Sequence, residues 1–596
     1  MAIKQQIIWD EQEHRFVGYC DNGNGITLER NESEAKEALV FLLVSLNGKW
    51  KWPIAYFFKR SITAPILKEL IETALILTAE VQISVRSITC DGDSVNCSVF
   101  RELGCNIFVD NFADLENSFP HPTLNYNVRI LLDACHMLKL CRNALADYGI
   151  FNSVDGQIKW SYIRNLHNVQ QQLTFKFKNR LNAQCVEWWQ NKMKVRYAAH
   201  TLSASVANAI KFLKKVGLKE FQDCDVTVKF IEIIDWLFDV LNSRNPFGKG
   251  FKQPLTKNRL TYLKEVIPEK INYLFNLEAK DGTKLIKTGR RTFIYGFALA
   301  LKSILEVAED IFNERPHYKY LLTYKFSQDH AEILFGKIRS RHGFNNNPNV
   351  LQFKYAMKQI LMRNDIKTNS TGLNSLELDN DPTGAVLDIV WKKKNDDRLI
   401  ICEDIDSSEN LENEQLSKNL ALSPTFDMLK ENIIFYVAGY IIRKLKNMID
   451  CYHCYDSLIQ KQEHNYDRES FSDFVKHSTR GGLLYASKSV HKILLETEKQ
   501  IQIETLQLTN LQTKGLDLKI INKVRRALVL DNTIFPNLLC DDWLLETSHK
   551  MKLITVISSK YIKIRLHSYA KFYVENILHP KRKRHRLTKQ ILFLNE

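Results

Sequence analysis

The sequence has no apolar run long enough to cross a membrane. Its longest, ALVFLLVSL at 38–46, falls well short of the about 20 residues that a spanning helix needs. The amino-terminal MAIKQQIIWDEQ is polar and lacks the basic, then apolar, then small-residue order of a secretory signal. We therefore expect no membrane partner and no export.

Cysteine is too sparse for a disulfide scaffold, with 12 residues spread over 596. In a chain that is not secreted, these side chains are expected to be reduced thiols, and a closely spaced pair becomes a candidate metal site. The composition is that of a globular protein, with 45% hydrophobic and 25% charged residues. At about 100–200 residues per domain, the length predicts several domains.

Acidic residues are fewer than basic ones, and the formal net charge is +15 with a pI near 9.0. A net positive charge favours polyanionic partners, because lysine and arginine displace counterions from phosphates. The basic run KRKRHR at 581–586 is typical of nuclear import or of phosphate contact, and a solvated tail is the alternative. We expect a nucleic acid partner and a nuclear protein.

The first part of the chain predicts an α/β domain. Strand patterns at 14–21, at 36–46 and from 53 onward predict a three-strand meander, and helix and strand patterns then alternate up to a strand at 127–136. This order matches the ribonuclease H arrangement.

The remainder is mostly helical and has no internal repeat. We predict a ribonuclease H-like domain in two halves split by an all-α insertion, then an acidic disordered linker, then a helical carboxy-terminal domain with a basic tail. The predicted boundaries are 1–136, 137–315, 316–364, 365–425 and 426–596.

The stretch SQDHAEILFGKIRSR at 327–341 has helical spacing, with Ser327 as the predicted N-cap. Asp329 and Glu332 lie three residues apart and therefore on the same face. Carboxylates are also favoured in the first turn of any helix, so a solvated acidic turn is the alternative.

Two further acids favour a metal site over a solvated turn. Asp21 ends the first predicted strand and Asp91 ends the strand after the first helix. Strand-terminal aspartates plus a helical glutamate supply the oxygen ligands that two Mg²⁺ ions need for phosphoryl transfer. No covalent protein nucleophile is then required.

Several ordered blocks resemble the P-element transposases and their THAP-domain relatives, from residue 1 to about 580. The blocks are TCDGDSVNCSVFRELG, LLDACHMLKLCRN, FDVLNSRNPFG, QDHAEILFGKIRSRHGFNNNPNVLQF, YVAGYIIRKLKN and RGGLLYASKSV.

The resemblance implies a ribonuclease H-like catalytic domain split by a GTP-binding insertion, acting on transposon ends and target DNA by cut-and-paste transfer. It makes Asp21, Asp91 and Glu332 the magnesium ligands, with Asp329 as an accessory acid. Relatives carry an Asp-Glu-Met stretch just before the segment that starts here at Met1, and that acid is the alternative to Asp21. We do not expect the amino-terminal THAP domain in this chain, and we expect a homo-oligomer.

No GxxxxGK[ST] loop is present, so a GTP-binding insertion would need another phosphate cradle. Asp239 and Asn242 have the donors and acceptors to bind a guanine edge, and a polar helix end is the alternative. Lys139, close to His136, is the candidate phosphate contact, although both residues have a structural alternative.

A second metal site is a candidate in the carboxy-terminal region. Cys451 and Cys454 form a C-x₂-C pair, and Cys540 and His549 follow. These four could bind zinc, and reduced, unligated thiols are the alternative.

Taken together, the sequence predicts a DDE-type DNA transposase that uses Mg²⁺ and GTP. Two alternatives stay open. One is a domesticated, catalytically inactive DNA- or GTP-binding protein, and the other is a ribonuclease H-like nuclease that cuts without joining.

Overall fold

The structure is a computed structural model that describes residues 1–23, 33–47, 50–341, 343, 345–362, 424–460, 470–479, 481–507, 515–536, 538, 540 and 548–573. The predicted linker, apart from its last two residues, and the basic run at 581–586 lie outside this part. The chain divides into two units, with residues 1–165, 179–211 and 219–394 in the first and 166–178, 212–218 and 395–596 in the second.

The first unit begins with the predicted alternation of strands and helices. Its first elements are β1 (Ile8–Asp10), β2 (Arg15–Val17), β3 (Glu37–Val44), β4 (Lys51–Lys59), α1 (Ala64–Glu80), β5 (Ser87–Cys90), α2 (Ser94–Glu102), β6 (Ser118–Pro120), β7 (Asn127–Leu132) and α3 (Ala134–Tyr148).

The predicted meander is only partly present. β3 and β4 form a long antiparallel hairpin, but β2 pairs with β1 instead of with that hairpin. The strand predicted at 14–21 is interrupted at Gly18, whose φ is +122°. A Cβ there would lie 2.2 Å from the Gln6 carbonyl oxygen, so only glycine fits this close approach.

The second half of the predicted alternation forms a three-stranded sheet with β7 in the middle, parallel to β5 and antiparallel to β6. Val128 and Ile130 of β7 are fully buried. The last three residues of β7, Ile130–Leu132, are apolar and buried, as expected where a strand is covered on both faces.

The insertion is helical except for a small antiparallel sheet in which β8 lies between β9 and β10. Its elements are β8 (Ile150–Ser153), β9 (Gly156–Lys159), α4 (Ser161–Leu173), α5 (Ala183–Val186), α6 (Val195–Thr201), α7 (Ala204–Lys215), α8 (Asp225–Leu241), α9 (Lys257–Phe275), β10 (Glu278–Ala279) and α10 (Thr292–Glu314).

Helix α10 packs against both β7 and α3. Gly296 permits this close approach, because a Cβ at that position would lie 2.0 Å from the Met137 sulfur. The insertion therefore returns to the sheet through the buried helix α10.

The chain then adds α11 (Asp329–Ser340) and α12 (Val350–Met362). Leu334 and Ile338 of α11 join Phe353 of α12 and Phe58 of β4 in one buried apolar cluster. This cluster buries the apolar face of α11 against β4 and α12.

The second unit is helical in the part of the chain that the structure describes. Its carboxy-terminal helices are α13 (Pro424–Leu445), α14 (Tyr452–Asp456), α15 (Asp473–Ser478), α16 (Lys488–Gln507), α17 (Leu516–Leu528) and α18 (His549–Tyr573). α16, α17 and α18 pack against one another, and α13 packs on α16. Within the described ranges, no helix has the length and apolar content to span a membrane.

Candidate active site and nucleotide site

Two aspartates lie side by side at the carboxyl ends of β5 and β7. Asp91 follows β5, and Asp133 follows β7, where its N–H donates to the Cys90 carbonyl oxygen over 2.9 Å. The Asp91 carboxylate is oriented by Asn96, whose Nδ2 donates to Oδ1 over 2.7 Å. Because the strands are parallel, both side chains emerge at the same edge of the sheet.

Asp133 links this edge to two helices. One carboxylate oxygen caps α3 by accepting from the His136 N–H over 2.8 Å, and the other accepts from the Gln328 N–H over 3.0 Å. The side chain is buried, and burial, together with the charge of Asp329, raises the pKa of Asp133 to about 6. Asp133 thus ties the start of α11 to the sheet edge, and it is not among the predicted site residues.

Helix α11 presents the two acids that the sequence predicted. It begins at Asp329 with Gln328 at the N-cap, so the predicted cap at Ser327 is wrong by one residue. Asp329 is 4% exposed and is paired with Arg244. Glu332 has a buried Oε2 atom that has no hydrogen-bond partner among the described residues.

Lys139 of α3 has three of the acids as electrostatic neighbours. Burial lowers the pKa of this lysine, and the negative charges of Asp133, Asp91 and Glu332 oppose that shift. All three carboxylates therefore lie within interaction range of one ammonium group. His136, one turn earlier on α3, has its pKa lowered to about 4 by burial and by Lys139.

Asp21 has different neighbours. Its backbone exchanges two hydrogen bonds with Phe58 of β4, of 2.8 and 2.9 Å, and its Oδ1 accepts from the Gly23 N–H. Its charge raises the pKa of Tyr56, after the larger effect of burial. Asp91 and Glu332 thus share Lys139 as an electrostatic neighbour, and Asp329 lies one turn before Glu332 on α11, while the membership of Asp21 in the site stays a prediction.

The candidate guanine-binding residues lie at the end of α8. Asp239 is on the last turn, with its carboxylate 3.5 Å from the Lys252 ammonium, and Asn242 is the C-cap. Lys139 lies within electrostatic range of Asp91, Asp133 and Glu332, which with Asp329 we call the carboxylate cluster. Its contact with a nucleotide phosphate therefore also stays a prediction.

Arg244 connects the candidate guanine-binding residues at the end of α8 with the acids of α11. Its Nε donates to Asn242 Oδ1 over 3.0 Å, and its Nη2 donates to Asp329 Oδ2. One guanidinium therefore contacts both the candidate nucleotide site and the helix that carries Glu332. No local pattern could have identified this contact, because Arg244 and Asp329 are 85 residues apart.

The four predicted zinc ligands also converge. One ligand atom from each of Cys451, Cys454, Cys540 and His549 lies within 4.8 Å of the others. All four belong to the second unit.

Replacing Asp133 with alanine is expected to destabilise the first unit by about 1–3 kcal/mol. The variant loses the cap of α3, typically about 1 kcal/mol, and leaves the Gln328 N–H without its acceptor. Asp93→Ala is the matched control, because Asp93 is the N-cap of α2 without a side-chain cap bond. Hydrogen exchange of α3 and α11 measures the difference, and equal protection in the two variants would contradict the role of Asp133.

Four family models match the chain and together cover about two thirds of it. They are the TNP-like RNase H N-terminal domain (residues 1–104), the TNP-like GTP-binding insertion domain (135–254), the TNP-like RNase H C-terminal domain (324–358) and the C-terminal domain of DNA transposase THAP9 (425–571).

Two curated relatives match over most of this chain. DNA transposase THAP9 of Homo sapiens is 24% identical over 96% of the chain, and the transposable element P transposase of Drosophila melanogaster is 23% identical over 89%. The chain spans 63% of the length of each. The solved Drosophila P element transposase strand transfer complex aligns with a TM-score of 0.49 and 20% identity, over 61% of this chain and 75% of that one. The fold is a ribonuclease H-like domain divided by a GTP-binding-type insertion, and the chain belongs to the P-element transposase-like family.

Proposed function

We propose that this protein cleaves DNA phosphodiesters and transfers the resulting 3′ hydroxyl ends into a target, with Mg²⁺ and GTP as cofactors. The proposal rests on the observation that Asp91 and Glu332 both lie within electrostatic range of Lys139, on the helix that follows β7. The named activities of the relatives support the type of reaction.

The residues at this edge fit hard divalent cations. Carboxylate oxygens are the preferred ligands of Mg²⁺, and the Glu332 Oε2 atom is buried without a hydrogen-bond partner in the described structure. Such an atom is costly unless a cation or donor satisfies it. Asp91 and Glu332 are our proposed ligands, with Asp21 as the further ligand that the resemblance predicts.

Mg²⁺ bound at these carboxylates would activate the attacking water or hydroxyl and stabilise the leaving oxygen. The protein's own contribution is position and charge. Asn96 fixes the Asp91 carboxylate, and Asp133 holds the start of α11 against the same edge. Arg244 balances the charge of Asp329, which keeps a buried carboxylate close to Glu332.

A strand-transfer assay with pre-cleaved DNA ends and Mg²⁺ tests the proposal. Joined products support a transposase, cleavage without joining indicates a nuclease, and binding without either reaction indicates a catalytically inactive binding protein. The last two outcomes overturn the proposed reaction. Nuclear localisation and homo-oligomerisation belong to the same proposal, and imaging of the tagged chain and analytical ultracentrifugation test them.

The GTP part of the proposal predicts a change of base preference at Asp239. A carboxylate accepts from the N–H donors of guanine, whereas an asparagine amide can donate to the extra carbonyl of xanthine. Asp239→Asn is expected to weaken GTP binding by about ten- to a hundredfold, the effect of a lost charge-assisted hydrogen bond. Binding of xanthosine triphosphate should become stronger.

Asp235→Asn provides the control, because it makes the same change one turn earlier on α8. Calorimetry with both nucleotides gives the two affinities. If Asp239→Asn binds GTP as the unaltered chain does, Asp239 does not contact the base. If neither the unaltered chain nor Asp235→Asn binds GTP, the nucleotide part of the proposal fails independently of the DNA chemistry.

A further inference from the structure

Three separate segments of the second unit bring soft metal ligands to one point. Cys451 precedes α14 and Cys454 lies within it, Cys540 follows α17, and His549 is the first residue of α18. Cys454 is 3% exposed, and the other three are partly buried. The proposed DNA reaction uses none of these side chains.

The distances match those expected around a single tetrahedral ion. The Cys454 sulfur lies 3.4 Å from the Cys540 sulfur and 3.3 Å from His549 Nδ1, and His549 Nδ1 lies 3.3 Å from the Cys540 sulfur. Four ligands at Zn–S of about 2.3 Å and Zn–N of about 2.0–2.1 Å are separated by about 3.5–3.8 Å. The observed spacings are only a few tenths of an ångström shorter.

A disulfide explains this arrangement less well. Its sulfur atoms would be bonded at about 2.0 Å, and it would use two of the cysteines and leave the third cysteine and the imidazole at the same point. Chance packing of reduced thiols gives no reason for a histidine nitrogen to join three sulfurs. A thiolate-binding cation accounts for all four groups at once.

We propose that Cys451, Cys454, Cys540 and His549 bind one zinc ion. Four protein ligands complete the tetrahedron and leave no open position, so the site is structural. The ion links the segment between α13 and α15 to the start of α18, which packs against α16 and α17. The carboxy-terminal helices would then depend on zinc for their arrangement.

The test uses the full chain, purified under reducing conditions without chelator. Elemental analysis is expected to find about one zinc per chain, and exchange for Co²⁺ should give the visible absorption of a tetrahedral thiolate site. A chain that retains no zinc and gives no such Co²⁺ spectrum overturns the proposal. Both measurements use the unaltered protein, so they stand even if the variants fold poorly.

Two histidine variants test whether His549 is a zinc ligand. His549→Ala is expected to weaken zinc retention against a chelator by at least about tenfold, since even a disturbed outer contact of a metal ligand has that effect. His453→Ala removes an exposed imidazole next to Cys454 and should retain zinc as the unaltered chain does. Equal retention in both variants would exclude His549 as a ligand and overturn the four-ligand site.

Discussion

Glu332→Gln is expected to lower the rate of Mg²⁺-dependent DNA cleavage by at least about a hundredfold. The variant keeps the size of the side chain and the packing of α11, but it removes the negative charge from the buried Oε2 atom. Metal-ion stabilisation of a developing charge is worth several kcal/mol, and each 1.4 kcal/mol is about a factor of ten in rate. Binding of the DNA itself should change little, because phosphate contacts come from basic side chains.

Glu309→Gln is the matched control. Glu309 is a partly exposed residue of α10 that pairs with Lys264, so its substitution makes the same chemical change away from the carboxylate cluster. Mn²⁺ binding, measured by electron paramagnetic resonance, gives a second readout that does not depend on activity. If Glu332→Gln cleaves DNA and binds Mn²⁺ as Glu309→Gln does, Glu332 is not a metal ligand.

Asp91 and Glu332 could be predicted from the sequence because each lies at the end of a secondary-structure element, where acidic residues follow a known local preference. Asp91 ends an apolar strand, and Glu332 lies in the first turn of an amphipathic helix. Asp133 satisfies the same strand-end rule but was missed, because the strand was predicted to continue to residue 136. It ends at Leu132, since Asp133 caps α3. The known preference of aspartate for N-caps was the signal that could have found it.

Other differences depend on contacts between distant segments. The predicted strand at 14–21 has an unbroken β pattern, and only the close approach of Gly18 to the Gln6 backbone shows why it is interrupted. The small sheet in the insertion had a local signal, because only Val154 and Asp155 separate β8 from β9, and Gly156 at the start of β9 has a positive φ of +126°. The insertion was nevertheless predicted to be all-α, because the sequence around this turn has helical spacing.

Arg244 shows the limit of sequence reasoning at the site itself. The FDVLNSRN block indicated Asp239 and Asn242 as a guanine-binding pair, but it did not indicate that Arg244 two residues later contacts Asp329. That contact exists because the insertion returns the end of α8 to the start of α11. If GTP binds at Asn242 as proposed, it would compete with the Arg244 hydrogen bond there. Arg244 would then connect the proposed nucleotide site to Asp329.

The largest stability effect is expected in the second unit, at the buried ion pair of Arg565 and Glu498. Arg565 is 5% exposed and Glu498 is 1% exposed. Arg565 donates to both carboxylate oxygens, from Nε to Oε2 over 2.9 Å and from Nη2 to Oε1 over 3.0 Å. Arg565 also donates to the carbonyl and hydroxyl oxygens of Thr174. These two hydrogen bonds join the 166–178 segment to α16 and α18.

Arg565→Met is expected to destabilise this unit by about 3–5 kcal/mol, because it leaves the Glu498 carboxylate buried without its cation. Lys563→Met is the control, since it removes an exposed positive charge from the same helix and should change stability by less than about 0.5 kcal/mol. Adding Glu498→Leu to Arg565→Met should restore part of the lost stability, because no unpaired charge then remains. Hydrogen exchange of α16 and α18 under increasing denaturant measures these three variants and the Glu498→Leu single variant. A double variant as unstable as the sum of Arg565→Met and Glu498→Leu would show that the two side chains act independently, and it would contradict the proposed coupling.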